Sequence, residues 1–241
     1  MKIIVAPTYE KLGEHAAAVM GAQILLKPNC VLGLATGSTP LSLYSELGKR
    51  CKEGILNFAK VKTVNLDEYY GLGLESDQSY VYFMRKNLFE HINIDINNTH
   101  LPNGLNPDAN EECARYEEMI ESLGGIDMQL LGIGHNGHIG FNEPSNSFPV
   151  NTHCVYLQKS TIEANARFFS KTEDVPPKAY TMGIGTILKA KRILVIASGE
   201  GKAEIVRAMI KGPVTPNLPA SVLQMHRDVI VVLDKAAASN L

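Results

Sequence analysis

A chain of 241 residues, 45% apolar and 20% charged, can bury a substantial α/β core and is neither disordered nor coiled coil in composition. Its net charge of -2 and pI near 6.4 supply no broad basic field, which argues against nucleic acid and anionic membrane surfaces as partners. Cys30, Cys51, Cys113 and Cys154 are scattered without a CxxC pair, so neither a zinc cluster nor a secreted disulfide framework is expected.

The opening MKIIVAPTYEKLGEH breaks its apolar run at Pro7, too early for a signal-peptide core or a membrane span, and a cytoplasmic location is expected. Along the chain, short β-rich runs alternate with helical patterns. A strand at 2–6 precedes a helix from Tyr9 to Leu26, and CVLGLA at 30–35 precedes a helix over 40–52. VKTVNL at 61–66 is followed by helical patterns at 79–91 and 108–123, then by the strand MQLLGIG at 128–134. HCVYLQ at 153–158, a helix over 160–169, ILVIA at 193–197, a helix from about Lys202 and VIVVL at 229–233 complete the series. CVLGLA, ILVIA and VIVVL are continuously apolar, as parallel strands covered on both faces must be. No repeat, linker or low-complexity run divides the chain, so residues 1–241 read as one α/β domain. The expected architecture is a three-layer, doubly wound, mostly parallel, Rossmann-like sheet with helices on both faces.

Ligands of such sheets lie beyond the carboxyl ends of the strands. After CVLGLA come Thr36, Gly37, Ser38, Thr39 and Pro40, a hydroxyl-rich loop opening a helix. It suits an anion cradle, although Ser38 or Thr39 could equally serve as a helix cap. The GxxxxGK[ST] pattern of an ATP loop is absent. Asp67 and Glu68 follow the third strand. Asp67, pointing into the crevice, would be a base for removing a proton α to a carbonyl or imine, with Glu68 facing elsewhere; the competing reading is a solvated turn.

LLGIGHNGHIGFNEP carries Gly132, Gly134 and Gly137 in GxGxxG spacing, but Phe141, Asn142, Glu143 and Pro144 replace the helix that a dinucleotide site requires. His135 and His138 with Glu143 make a weak metal signature, since no HExxH or clear third ligand accompanies them. The loop instead offers Asn136, His138 and Glu143 to a ligand, a carboxylate beside an imidazole suiting proton transfer near neutral pH. No metal or nucleotide cofactor is expected.

TGSTP at 36–40, NLDEYYGL at 65–72 and GIGHNGHIGFNEP at 132–144, extended by ANARFF at 164–169 and SGEGKA at 198–203, resemble the glucosamine-6-phosphate deaminase family. The resemblance implies conversion of glucosamine 6-phosphate and water to fructose 6-phosphate and ammonia. It implies a phosphate held by Gly37, Ser38, Thr39, Arg167 and Lys202. It also implies ring opening by His138 with Glu143 and Asn136, and proton transfer by Asp67. The partner implied is a small sugar phosphate, with the chain a monomer or homo-oligomer. Some relatives carry Asp at the position of Asn136, which leaves Asn136 an orienting role. Longer relatives are activated by the N-acetylated sugar phosphate through basic residues where this chain has His153 and Val155, so no such activation is expected here. The alternatives are 6-phosphogluconolactonase, disfavoured by DEYYGL and FNEP, and a non-catalytic sugar-phosphate sensor, disfavoured by the absence of a DNA-binding segment ahead of the first strand.

Overall fold

A seven-stranded parallel sheet carries the fold in the computed structural model, which describes residues 1–166, 169, 171 and 174–241. The strands among the described residues are β1 (Lys2–Ala6), β2 (Val31–Leu34), β3 (Lys62–Asn65), β4 (Asp67–Tyr69), β5 (Thr99–His100), β6 (Met128–Leu131), β7 (His153–Tyr156), β8 (Lys178–Thr181), β9 (Ile193–Ala197) and β10 (Val229–Asp234). The large sheet has the order β1-β10-β9-β6-β2-β3-β5 and every pairing in it is parallel. β2, β6 and β9 are buried along their whole lengths, β2 and β9 as unbroken apolar runs and β6 with the polar Gln129 enclosed among its apolar residues.

The α-helices among the described residues are α1 (Tyr9–Leu26), α2 (Leu41–Lys52), α3 (Tyr80–Asn87), α4 (Ala109–Ser122), α5 (Lys159–Asn165), α6 (Ile184–Leu188) and α7 (Ala203–Lys211). α1 begins where the Thr8 hydroxyl accepts the backbone N–H of Lys11, and it buries Leu12, Ala16, Ala17, Met20 and Ile24. The Asp108 carboxylate caps α4 by accepting the N–H groups of Asn110 and Glu111. Side chains of these helices join those of the strands in one main core, which includes Met20, Leu34, Tyr44, Val64, Leu130, Val195 and Val232.

The expected parallel α/β architecture is what the structure shows, with one substantial difference. β4, β8 and β7 form a second, antiparallel sheet in which Asp67 pairs with Thr181 and His153 with the same residue from the other side. HCVYLQ is therefore a strand, but not one of the large sheet. Asp67 does not end the third strand: β3 stops at Asn65, and Asp67 opens β4. This small sheet has its own apolar cluster, in which Tyr69, Phe141, Leu157, Val175 and Ala179 are buried. The end of the helix expected over 160–169 includes residues outside those described.

Candidate active site

The winding of the large sheet reverses at β2. From β2 the chain moves outward through β3 to β5, then returns to place β6 on the opposite side of β2. Such a switch point opens a crevice at the carboxyl ends of the two diverging strands. The loops that leave β2 and β6 there are the two glycine-bearing segments, 36–40 and 132–140. A cavity of about 930 Å³ occupies this position, and Gly37, Ser38, Thr39, Asp67, Asn136, His138 and Lys202 all line it.

In the loop after β2, Pro40 rather than Ser38 or Thr39 takes the capping position of α2, and no side chain caps that helix. The hydroxyls of Ser38 and Thr39 are thus not consumed as caps. The backbone carbonyl of Ser38 accepts the Tyr9 hydroxyl at 2.8 Å, and the same phenol oxygen accepts the N–H of Ser42 at 3.1 Å. Tyr9 therefore fastens the loop to the start of α2. With the helix N-terminus behind it, the loop can receive an anion.

Asp67, the first residue of β4 just past the end of β3, is 6% exposed and lies on the wall of the cavity. Burial, and to a lesser degree the negative charge of Glu68, pushes its carboxyl up to about 8. A carboxyl poised there can exchange a proton near neutral pH, which a solvated turn residue could not do. Glu68 is 1% exposed and faces away from the cavity toward α3.

The loop after β6 brings an imidazole to the opposite wall, and no helix opens at its last glycine. Gly134 donates its N–H to the carbonyl of His138 at 2.9 Å, and the ring of His138 lies directly against Gly134. A Cβ on Gly134 would come within 2.3 Å of Cε1 and 2.4 Å of Nε2, so only glycine leaves room for this ring. Nδ1 of His138 faces Oε2 of Glu143 at 3.4 Å. Glu143 lies behind the imidazole rather than on the cavity wall, which corrects the expectation that it faces a ligand directly. It also accepts the Asn136 amide at 2.5 Å and the hydroxyl of Thr161 on α5. Burial alone would raise the Glu143 carboxyl, but His138, Thr161 and Asn136 hold it below the ordinary carboxylate range. Asn136 accepts the His138 N–H at 3.2 Å through its own carbonyl, so it braces both partners. The loop then passes Asp67: a Cβ on Gly140, whose φ is +57°, would stand 3.7 Å from Oδ2 of Asp67.

Lys202 enters from the segment after β9 and donates to the carbonyl of Ile133 at 2.8 Å, which ties the cation to the histidine loop. Ser198 and Gly201 of the same segment also face the cavity. Arg167, the second cation expected at a phosphate, lies outside the described residues. Sequence reasoning missed the aromatic wall: Tyr69, Tyr80 and Phe141 line the cavity, with Tyr80 stacked on Phe141 at 6.1 Å and 13°. Their spacing in the chain carries no signal of that clustering. Among the described residues no three His, Cys, Asp or Glu side chains are grouped to hold a metal ion. No described helix is long and apolar enough to cross a membrane.

Residues 6–232 match the family described as glucosamine-6-phosphate isomerases/6-phosphogluconolactonase. The chain belongs to this family. A glucosamine-6-phosphate deaminase of Clostridium perfringens is 57% identical over 241 residues, covering all of both chains. One of Clostridioides difficile is 55% identical over the whole of this chain and 97% of its own. Among solved structures, a monomeric glucosamine-6-phosphate deaminase superposes with a TM-score of 0.97 at 47% identity, with full coverage of both chains. The 6-phosphogluconolactonase of Leishmania guyanensis shares the fold, with a TM-score of 0.80 at 21% identity over all of this chain and 98% of its own.

Proposed function

We propose that this member of the family is an isomerising deaminase that converts glucosamine 6-phosphate and water to fructose 6-phosphate and ammonia. The observation that carries the reading is the buried Asp67 carboxyl set in one cavity with an anion cradle and an imidazole. The phosphate is received by the backbone and hydroxyls of Gly37, Ser38 and Thr39, with Lys202 and Arg167 as counter-charges. His138, oriented by Glu143 and Asn136, takes the anomeric hydroxyl proton, and the ring oxygen leaves C1 protonated as the sugar opens to its aldehyde.

Asp67 in its ionised form removes the proton from C2, while the C1 oxygen gains a proton, giving an enolamine. A substrate ammonium group close by favours that ionised form. The same carboxyl returns a proton to C1, which leaves a ketimine at C2. Water adds to that carbon and ammonia departs, leaving the ketone.

The test is release of ammonia from glucosamine 6-phosphate by the wild-type protein and by Asp67→Asn, with and without a chelator. Wild-type turnover indifferent to chelator, and a loss of at least a thousandfold in Asp67→Asn with substrate binding retained, are expected. Near-normal turnover in Asp67→Asn would sink the assignment of that residue. Hydrolysis of 6-phosphogluconolactone in place of ammonia release would favour the lactonase, and binding without turnover a sensor. Adding the N-acetylated sugar phosphate to the same assay is expected to leave the rate unchanged: the half-buried His153 donates from Nδ1 to the Asn151 carbonyl, and burial keeps its imidazole below the usual range and so less charged.

A further inference from the structure

The scheme above leaves the second buried carboxylate of this site without a part. Glu68 follows Asp67 directly on β4, so the two side chains leave the strand on opposite faces. Its oxygens gather three backbone N–H groups: Oε1 accepts from Tyr69 at 2.8 Å and Tyr80 at 2.9 Å, and Oε2 accepts from Val81 at 2.9 Å. Tyr80 and Val81 open α3, so an anion sits at the positive end of that helix. The helix presents Tyr80, Tyr82, Phe83, Lys86 and Asn87 to the cavity.

We infer that Glu68 is a positioning residue that acts on the reaction from behind: it fixes the first turn of α3 against β4 and places a second negative charge beside Asp67. This rests on the reading of Asp67 as the proton-transfer group. A side chain serving only as a helix cap could be a serine or asparagine; a fully buried carboxylate costs more to desolvate and is compensated here by three N–H groups. Burial pushes Glu68 up to about 7 against the pull of those N–H groups, still below the value of about 8 for Asp67, so Glu68 gives up its proton first and is anionic where Asp67 titrates. Among the described residues, the phenols of Tyr44 on α2, Tyr80 on α3 and Tyr116 on α4 also feel the Asp67 charge, each pushed upward by burial and therefore neutral, while His138 and Lys202 line the same cavity. Across the sheet stands Thr181 of β8, which carries no charge. Among the described residues, Glu68 is thus the anionic neighbour whose charge holds a proton on Asp67.

The experiment is the pH profile of kcat/KM for ammonia release in wild type, Glu68→Gln and Glu68→Asp, beside Asp67→Asn. Glu68→Gln keeps a carbonyl oxygen for two of the three N–H groups but loses the charge. Its acid limb is expected to move to lower pH by about half a unit or more, as removal of a nearby like charge requires. Glu68→Asp keeps the charge on a shorter arm, so its limb stays in place while KM rises several-fold through loosening of α3; this readout survives poor folding of the Gln variant. A Glu68→Gln limb that coincides with wild type, or equal shifts in the Gln and Asp variants, would overturn the inference. If Asp67→Asn is inactive, only the role of Glu68 falls in that case; an active Asp67→Asn enzyme overturns the reading of Asp67 itself.

Discussion

At the residue scale the site depends on what a single side chain displaces as much as on what it contributes. Gly134 has no catalytic group, yet the imidazole of His138 occupies the space its Cβ would fill. Gly134→Ala should leave the fold intact, because the loop lies at the cavity surface, but must move the ring away from Glu143. With proton transfer dependent on that alignment, a loss of about tenfold to a hundredfold in kcat is expected. Ammonia release and the thermal midpoint measured on the same sample decide it; unchanged kcat would show that the ring tolerates displacement. Asp67 and His138 were legible in the sequence as candidates because each is a chemically distinctive residue in the segment beyond a strand, whereas Lys202 was reached through the family resemblance. Glu143 was legible as a partner of His138 but not as one standing behind it, since spacing in a loop does not give depth. The task of Glu68 was hidden, because its three N–H donors come partly from residues twelve and thirteen positions further on.

The elements differ in how strongly their sequences announce them. β2, β9 and β10 carry apolar runs that only a doubly covered strand explains, and α1 has a cap, an apolar stripe and Pro28 just past its end. By contrast β4, β5 and β8 span three, two and four residues, too few for a period to show. Their pairing is set by tertiary contact, and this is why HCVYLQ could be recognised as a strand but assigned to the wrong sheet. The segment after β9 shows a similar dependence. Asp234, at the end of β10, accepts the Ser198 hydroxyl at 2.5 Å and the Gly199 N–H at 3.1 Å, and also the Ala237 N–H at 2.7 Å. One carboxylate from a neighbouring strand thereby orients the turn that delivers Lys202. Charge-assisted bonds of this kind contribute about 1.5–3 kcal/mol each. Asp234→Asn should therefore raise KM for the sugar phosphate by about tenfold, roughly 1.4 kcal/mol, with a smaller change in kcat. An unaltered KM in steady-state assays would detach this turn from phosphate binding.

On the scale of the whole molecule, the reversal of winding at β2 is what joins loops lying almost a hundred positions apart in the chain, and their order in the sequence gave no measure of that distance. The same packing that closes the cavity buries Asp67, and burial has a consequence for global stability. The Asp67 carboxyl is raised to about 8 in the folded chain, against about 3.9 when unfolded. Between these values the folded state holds a proton that the unfolded state has released, so stability falls as pH rises from about 4 to about 8 and levels off above. The slope from this one group is at most about 1.4 kcal/mol per pH unit. Asp67→Asn removes that titration while nearly preserving shape. Its thermal midpoint relative to wild type should therefore climb between pH 5 and pH 8, by about 2–4 °C for each kcal/mol in a chain of this size. Differential scanning calorimetry on both proteins across that range makes the comparison, with the remaining titrating groups shared. A difference that stays constant, or shrinks toward pH 8, would mean that the folded protein does not hold a proton on Asp67, and the carboxyl would lose its suitability as an acid in the return of the proton to C1.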